Sequence, residues 1–339
     1  MPVSSLLKAA MRSPVVRRLL GMARHEYFVY RSRRPMVGPI PVITDDLRLP
    51  VDAINNWAEY TQWRDVNGTK EAEEDLSEEE LCDDRQTPVT FEGTCALCGR
   101  DVTYHADYRY ASRRPNGRLV PNFREQLSCP ACGMQNRLRA IIHIFLQECA
   151  PKPGDVIYVT EQFGRFFRWL RGRFGNEVHG SEFLGPDVAP GSLHRGIRHE
   201  DLQALSFAAA SFDYVMSCDV LEHVADVDKC LREVARVLKP GGSFLFTAPF
   251  QRTSEQTAIR AQVGDDGRIV HLKEPEYHGN PTGIGDGILC FRYFGIDVLD
   301  QLRAVGFESA HLLLYRSRRF GYIGGTQMVV LAKKARQPA

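Results

Sequence analysis

Four of the nine cysteines stand in two Cys-x-x-Cys pairs, Cys95/Cys98 and Cys129/Cys132, each followed by a glycine, Gly99 and Gly133. Thiolates are soft ligands, and tetrahedral zinc takes four of them at about 2.3 Å. Two knuckles of this form about thirty residues apart predict a zinc ribbon, closed on all sides by sulfur and therefore structural. A pair of redox dithiols is the rival reading; the repeated glycine favours metal. Carboxylates and imidazoles form a second chemical set. Asp219, Glu222 and His223 make an acid-x-x-acid-His run, and His271, Glu276 and His278 follow in a stretch rich in Gly, Pro and His. Such groups take a proton from a nucleophile near neutral pH, so His223, Glu276, His278 and His271 are the candidate catalytic residues.

These side chains need a frame. From Asp155 onward, short apolar runs alternate with helical patterns, which predicts an α/β layered domain. Strands are expected at 155–160, 177–181, 212–217 and 243–247, with a helix over 163–174. Val227, Leu231, Val234 and Leu238 step along one helical face, with Asp226 as N-cap and Pro240-Gly241-Gly242 as the stop. The stretch from Gln251 to Cys290 is long for a structureless loop and is expected to form a lid, with 251–291 as its bounds. A final helix capped by Asp297 and two closing strands complete the expected domain. In an open parallel sheet, ligands bind beyond the carboxyl ends of the strands. Glu182 follows the second strand, where a carboxylate can accept both hydroxyls of a ribose. Asp201 precedes Leu202 where an acid commonly meets adenine, and Ser217 closes the central strand. That order fits a nucleoside ligand.

The 339 residues carry a net charge of +1 and 43% apolar residues, which excludes a wholly disordered chain and a global attraction to nucleic acid or membrane. No apolar run approaches the ~18–20 residues that span a bilayer, so no transmembrane segment is expected. The other five cysteines are scattered, unlike a secreted disulfide framework, and a reduced, cytoplasmic setting is expected. Locally the charge is uneven. Residues 1–34 hold eight basic groups against Glu26, with apolar residues at helical spacing, so 1–44 is read as a basic amphipathic segment. Fourteen acids against three bases over 45–84 predict a solvated acidic connector at 45–90. The ribbon, 91–148, carries eight arginines (from Arg100 to Arg139) beside Tyr104, Tyr108 and Tyr110. That set suits RNA phosphates and bases, or packing against the acidic connector. The α/β domain is placed at 149–334, with a tail at 335–339.

Leu205-Ser206-Phe207, Ala210-Ser211-Phe212-Asp213-Tyr214-Val215, Asp219-Val220-Leu221-Glu222-His223 and Arg236 to Gly242 resemble the class I S-adenosylmethionine-dependent methyltransferases of the type-11 group. The resemblance spans roughly 155–334 and is most specific over 205–242. It implies a Rossmann-like, seven-stranded, mostly parallel sheet with helices on both faces, and in-line methyl transfer from S-adenosylmethionine. One departure stands out. The glycine-rich first loop of that family is here Tyr158-Val159-Thr160-Glu161-Gln162-Phe163-Gly164. By resemblance Thr160, Glu161 and Gly164 are cofactor contacts, with Glu161 reaching the ammonium group, beside Glu182, Asp201, Leu202 and Ser217. A similar acid-x-x-acid-His arrangement in ubiquinone-pathway O-methyltransferases binds a divalent ion, which implies Asp219, Glu222 and His223 here. The alternative is that this run caps the strand, with His223 bonded to backbone. The acceptor stays open among a small molecule, a saccharide and RNA. A catalytically inactive scaffold and an RNA-binding module are the rival readings, and the oligomeric state is not legible.

Overall fold

The computed structural model describes residues 36–279 and 287–336, so the basic run at 1–34 and positions 280–286 of the expected lid lie outside the described residues. The acidic stretch is the first correction. Where like charges predicted a solvated connector, the chain forms strand β1 (Asp52–Ile54) and helix α1 (Trp57–Glu79). Asn56 starts the helix: its side chain accepts from the Glu59 N–H at 2.9 Å, while the Glu59 carboxylate accepts from the Asn55 N–H and the Asn56 amide, both at 2.9 Å. That reciprocal cap satisfies donors the first turn leaves open. The fully buried Tyr60 anchors the helix in the core, and its acids meet arginines of the later chain.

Strands β2 (Val89–Cys95) and β3 (Arg100–Ala106) form a hairpin that turns at the first cysteine knuckle. A short helix, Phe123–Gln126, precedes the second knuckle, and helix α2 (Asn136–Ile144) follows it. Leu138, Ala140, Ile141, Ile142 and Ile144 of α2 are buried in one hydrophobic cluster with Ile157, Leu245 and Val329 of the main sheet. The cysteine region therefore shares its core with one face of the α/β layer.

The remaining elements follow the alternation of the sequence. They are β4 (Ile157–Val159), α3 (Gly164–Phe174), β5 (Val178–Gly180), β6 (Phe212–Cys218), α4 (Val227–Val237), β7 (Leu238–Thr247), α5 (Val298–Ala304), β8 (Phe307–Ser317) and β9 (Tyr322–Lys334). Seven strands pair in the order β1–β8–β9–β7–β6–β4–β5. The four strands β5, β4, β6 and β7 are parallel, while β9 runs antiparallel between β7 and β8. The edge strand β1 pairs antiparallel with β8 through Asp52↔Leu314 to Ile54↔Leu312, so the seventh strand comes from the stretch read as a connector. Ile157, Tyr158 and Val159 are fully buried, as a strand covered on both faces requires.

Asp226 accepts from the Lys229 N–H at 3.1 Å and caps α4 as expected. Asp297 makes no side-chain cap on α5; its carboxylate accepts instead from the Thr257 N–H and hydroxyl at 3.1 and 2.6 Å. Pro240-Gly241-Gly242 does not end a helix but sits in the bulged entry of β7, where a Cβ on Gly242 would lie 2.8 Å from the Asp213 carbonyl. Between β7 and α5, three short ribbons form in the insert: Ala258–Ile259 with Arg292–Tyr293, Ala261–Val263 with Ile269–His271, and Tyr277–His278 with Ile288–Leu289. Among the described residues no helix is long and apolar enough to cross a membrane.

Candidate active site

The two knuckles converge. Cys95, Cys98, Cys129 and Cys132 place their sulfurs within 4.8 Å of one another, with Cys98 and Cys129 at 3.9 Å. Sulfurs around a tetrahedral zinc stand about 3.8 Å apart, so the donor set fits that ion. Each following glycine adopts a left-handed φ, +62° at Gly99 and +66° at Gly133, and donates its N–H back to the first cysteine's carbonyl at 2.9 and 2.7 Å. Arg165, in the first turn of α3, donates to the Cys132 carbonyl at 3.3 Å. The second knuckle thus rests against the start of the helix that leads away from the first loop.

That loop joins β4 to α3. The Thr160 hydroxyl donates to Ser217 Oγ at 2.9 Å, tying the ends of β4 and β6. Gly164 has φ +89°, and a Cβ built on it would meet nothing within 4 Å, so open space lies beside the one loop glycine. Glu182, 7% exposed, accepts from the N–H groups of Gln162 and Phe163 at 2.7 and 2.8 Å. It therefore holds the loop and caps α3, a role the sequence reading did not include. Burial pushes its carboxyl up to about 7, against those two hydrogen bonds. Burial likewise pushes Glu161 up to about 8; the Arg137 guanidinium offsets only part of this, and Glu182 and Asp219 add to it. Asp201 spends its carboxylate on Gln203, accepting from the N–H at 2.9 Å and from Nε2 at 3.1 Å. Leu202 is buried in the core. The hydrogen bonds of Glu182 and Asp201 thus run to different segments.

Asp219 leaves the metal set expected for it. It sits just past β6 with φ +52°, and both its oxygens receive Arg124: Nη1 at 2.9 Å and Nη2 at 2.8 Å. Arg137 stands 3.3 Å from the same carboxylate and donates through Nε to Glu125 at 2.9 Å. These guanidiniums hold Asp219 well below the usual carboxylate range despite its burial. A carboxylate so neutralised is a poor cation ligand.

A different third ligand takes its place. Glu222, His223 and His278 bring one donor atom each within 4.8 Å of one another. Glu222 is fully buried, and neither carboxylate oxygen has a hydrogen-bond partner among the described residues. His223 Nε2 and His278 Nδ1 lie 3.6 and 3.7 Å from Glu222 Oε1. His223 Nδ1 donates to the Leu289 carbonyl at 2.8 Å, the backbone bond weighed as the alternative, and in neutral His223 this turns a lone pair on Nε2 toward Glu222. Glu276 faces His278 Nε2 at 3.2 Å and Arg260 at 3.1 Å, and accepts from the Tyr293 hydroxyl. That hydroxyl leads the causes lowering the Glu276 pKa, while Glu222 and then Glu276 raise that of His278. His271 is not part of the cluster: it lies exposed on the Ile269–His271 ribbon.

Sequence reasoning counted Arg124 and Arg137 among the ribbon arginines without placing them at Asp219, and missed Arg260 and Tyr293. Of the ribbon arginines, Arg114 and Arg118 reach Glu79, and Arg139 is fully buried over the Tyr104 ring. Arg114 and Arg118 thus pack against the acidic stretch, the other reading of those arginines, while Arg124 and Arg137 pair with Glu125 and Asp219.

Comparison with known proteins bears on the same region. Residues 163–246 match the methyltransferase domain family. The ubiquinone biosynthesis O-methyltransferase of Chelativorans sp. is 34% identical over 88 residues, 24% of this chain and 34% of that one. Phosphoethanolamine N-methyltransferase 2 of Caenorhabditis elegans is 30% identical over 143 residues, 39% of this chain and 33% of that one. The chain spans about a third of the length of these curated relatives. Among solved structures, an S-adenosylmethionine-dependent methyltransferase from Mesorhizobium loti aligns with a TM-score of 0.37 at 19% identity, over 57% of this chain and 98% of that one. The matched block takes in α3, β5, β6, α4 and most of β7, so over these elements the chain is similar to the methyltransferase domain family.

Proposed function

We propose that the protein is an S-adenosylmethionine-dependent methyltransferase acting on a small-molecule acceptor, with a structural zinc ion on its four paired cysteines. The observation that carries this reading is the open space beside Gly164 at the carboxyl end of β4, within the block that matches the methyltransferase domain family. The cofactor supplies an activated methyl group. The protein's task is then alignment, which can reach effective molarities of ~10⁵–10⁸ M. Glu161 and Glu182 offer carboxylates at the loop end, and Thr160 with Ser217 fixes the floor between β4 and β6. The insert brings Glu276 and His278 to Glu222 and His223, where a nucleophile's proton can be received. A divalent ion held by Glu222, His223 and His278 would lower the pKa of an acceptor hydroxyl; the orphaned, buried oxygens of Glu222 fit such a charge.

Calorimetry with S-adenosylmethionine is the direct test. Binding is expected, and no heat at millimolar cofactor would defeat the reading. Substituting Glu276 and His278 by alanine is expected to reduce turnover with cofactor affinity near normal; full activity in both would remove the insert from the mechanism. The methyl acceptor can be sought with labelled cofactor in fractionated cell extract.

A further inference from the structure

The end of β6 is reached by side chains from outside the block that matches the methyltransferase domain family. Arg124 belongs to the short helix before the second knuckle and Arg137 to the first turn of α2. Arg124 uses both terminal nitrogens on Asp219. Arg137 engages Glu125 through Nε, and its Nη1 is buried without a hydrogen-bond partner among the described residues. A guanidinium nitrogen sealed from water with no acceptor carries a desolvation cost. The charge of Arg137 is felt by the carboxyl of Glu161, in the loop between β4 and α3.

The paired charges balance, Arg124 and Arg137 against Asp219 and Glu125, with Glu161 outside the pairs. A neutral nucleoside would leave Arg137 Nη1 as it is. An α-amino-acid group brings one carboxylate and one ammonium, and so supplies an acceptor to the arginine and a cation to the glutamate without changing the sum. We propose that the cysteine module contributes to the cofactor site, Arg137 Nη1 receiving the amino-acid carboxylate of the bound cofactor while Glu161 receives its ammonium. This rests on the methyltransferase reading above. Arg137 then discriminates between cofactor-like ligands that carry the amino-acid tail and those that lack it.

The test compares S-adenosylhomocysteine with 5′-methylthioadenosine, which lacks that tail, by calorimetry on the full chain. The wild type is expected to bind the first more tightly. Arg137→Gln is expected to weaken S-adenosylhomocysteine roughly 10–100-fold, one charge-assisted bond, and to leave methylthioadenosine unchanged. Arg137→Lys is expected to fall between them. Unchanged S-adenosylhomocysteine affinity in Arg137→Gln, or an equal loss for both ligands, would overturn the proposal. Should Arg137→Gln fail to fold by circular dichroism, Glu161→Gln decides by the same comparison: loss confined to the tailed ligand supports the assignment, and an unchanged affinity for that ligand or an equal loss for both refutes it. A wild type that binds neither ligand is a separate result, the failure of the methyltransferase reading itself.

Discussion

Arg316 on β8 and Glu78 near the end of α1 are joined at 2.7 Å across 238 residues of chain, with Arg316 also 2.7 Å from Asp75. Glu78 in turn accepts the Gly324 N–H at 2.9 Å. Burial raises the Glu78 pKa, and Arg316 offsets only part of that rise. Arg316→Met leaves a buried carboxylate without its cation, a change expected to cost roughly 3–5 kcal/mol. Urea unfolding measures it, and Glu78→Gln in the same background is expected to restore part of the loss.

Arg124 and Asp219 make a second link of this kind, between the cysteine region and the end of β6. A double-mutant cycle with Arg124→Ala and Asp219→Asn is expected to give a coupling of roughly 1.5–3 kcal/mol. Additive losses would mean that the two sides pack independently.

Zinc content is the third prediction. The purified protein is expected to hold one zinc ion, lost in Cys132→Ser together with a large drop in thermal stability, because ligation and folding share free energy. Metal analysis by mass spectrometry and a melting curve read both.

A buried carboxylate with no hydrogen-bond partner is costly, so Glu222→Gln is expected to raise the melting temperature of metal-free protein. The same substitution is expected to abolish any stabilisation by added Mn²⁺. Scanning calorimetry with and without the ion checks the pair of effects.

The pH dependence follows from Glu161 and Glu182, pushed up to about 8 and about 7 by burial. In the folded protein these groups hold protons that the unfolded chain has already released. Their stabilising contribution is therefore full below the ordinary carboxylate pKa of about 4.5 and is lost as pH rises through 7 to 8. Unfolding free energies at pH 5.5 and 8.5 are expected to diverge less in Glu161→Gln than in the wild type.

Much of the α/β frame was readable because its signals are local. Fully apolar runs at Ile157 to Val159 and Phe244 to Phe246 mark strands covered on both faces, and Asp226 marks the start of α4. The four cysteines declared themselves by spacing. Helix α1 was hidden by its charge, although Asn56-x-x-Glu59 is a capping signature that could have revealed it. The set Glu222, His223 and His278 was half legible: two members are adjacent, while the third arrives through pairing of Tyr277–His278 with Ile288–Leu289. The Arg124 clamp on Asp219 was not legible, because it joins residues 95 positions apart and its charge alone suited an external phosphate equally well.

The three-residue strand β1 has a practical consequence for anyone isolating the α/β half. Excising the chain from residue 149 onward would strip Asp52–Ile54 from β8 and bare the backbone N–H and C=O groups of Leu312 to Leu314. An exposed, apolar sheet margin of that sort invites pairing between molecules. Such a fragment is expected to precipitate, whereas one beginning before Asp52 keeps the margin covered.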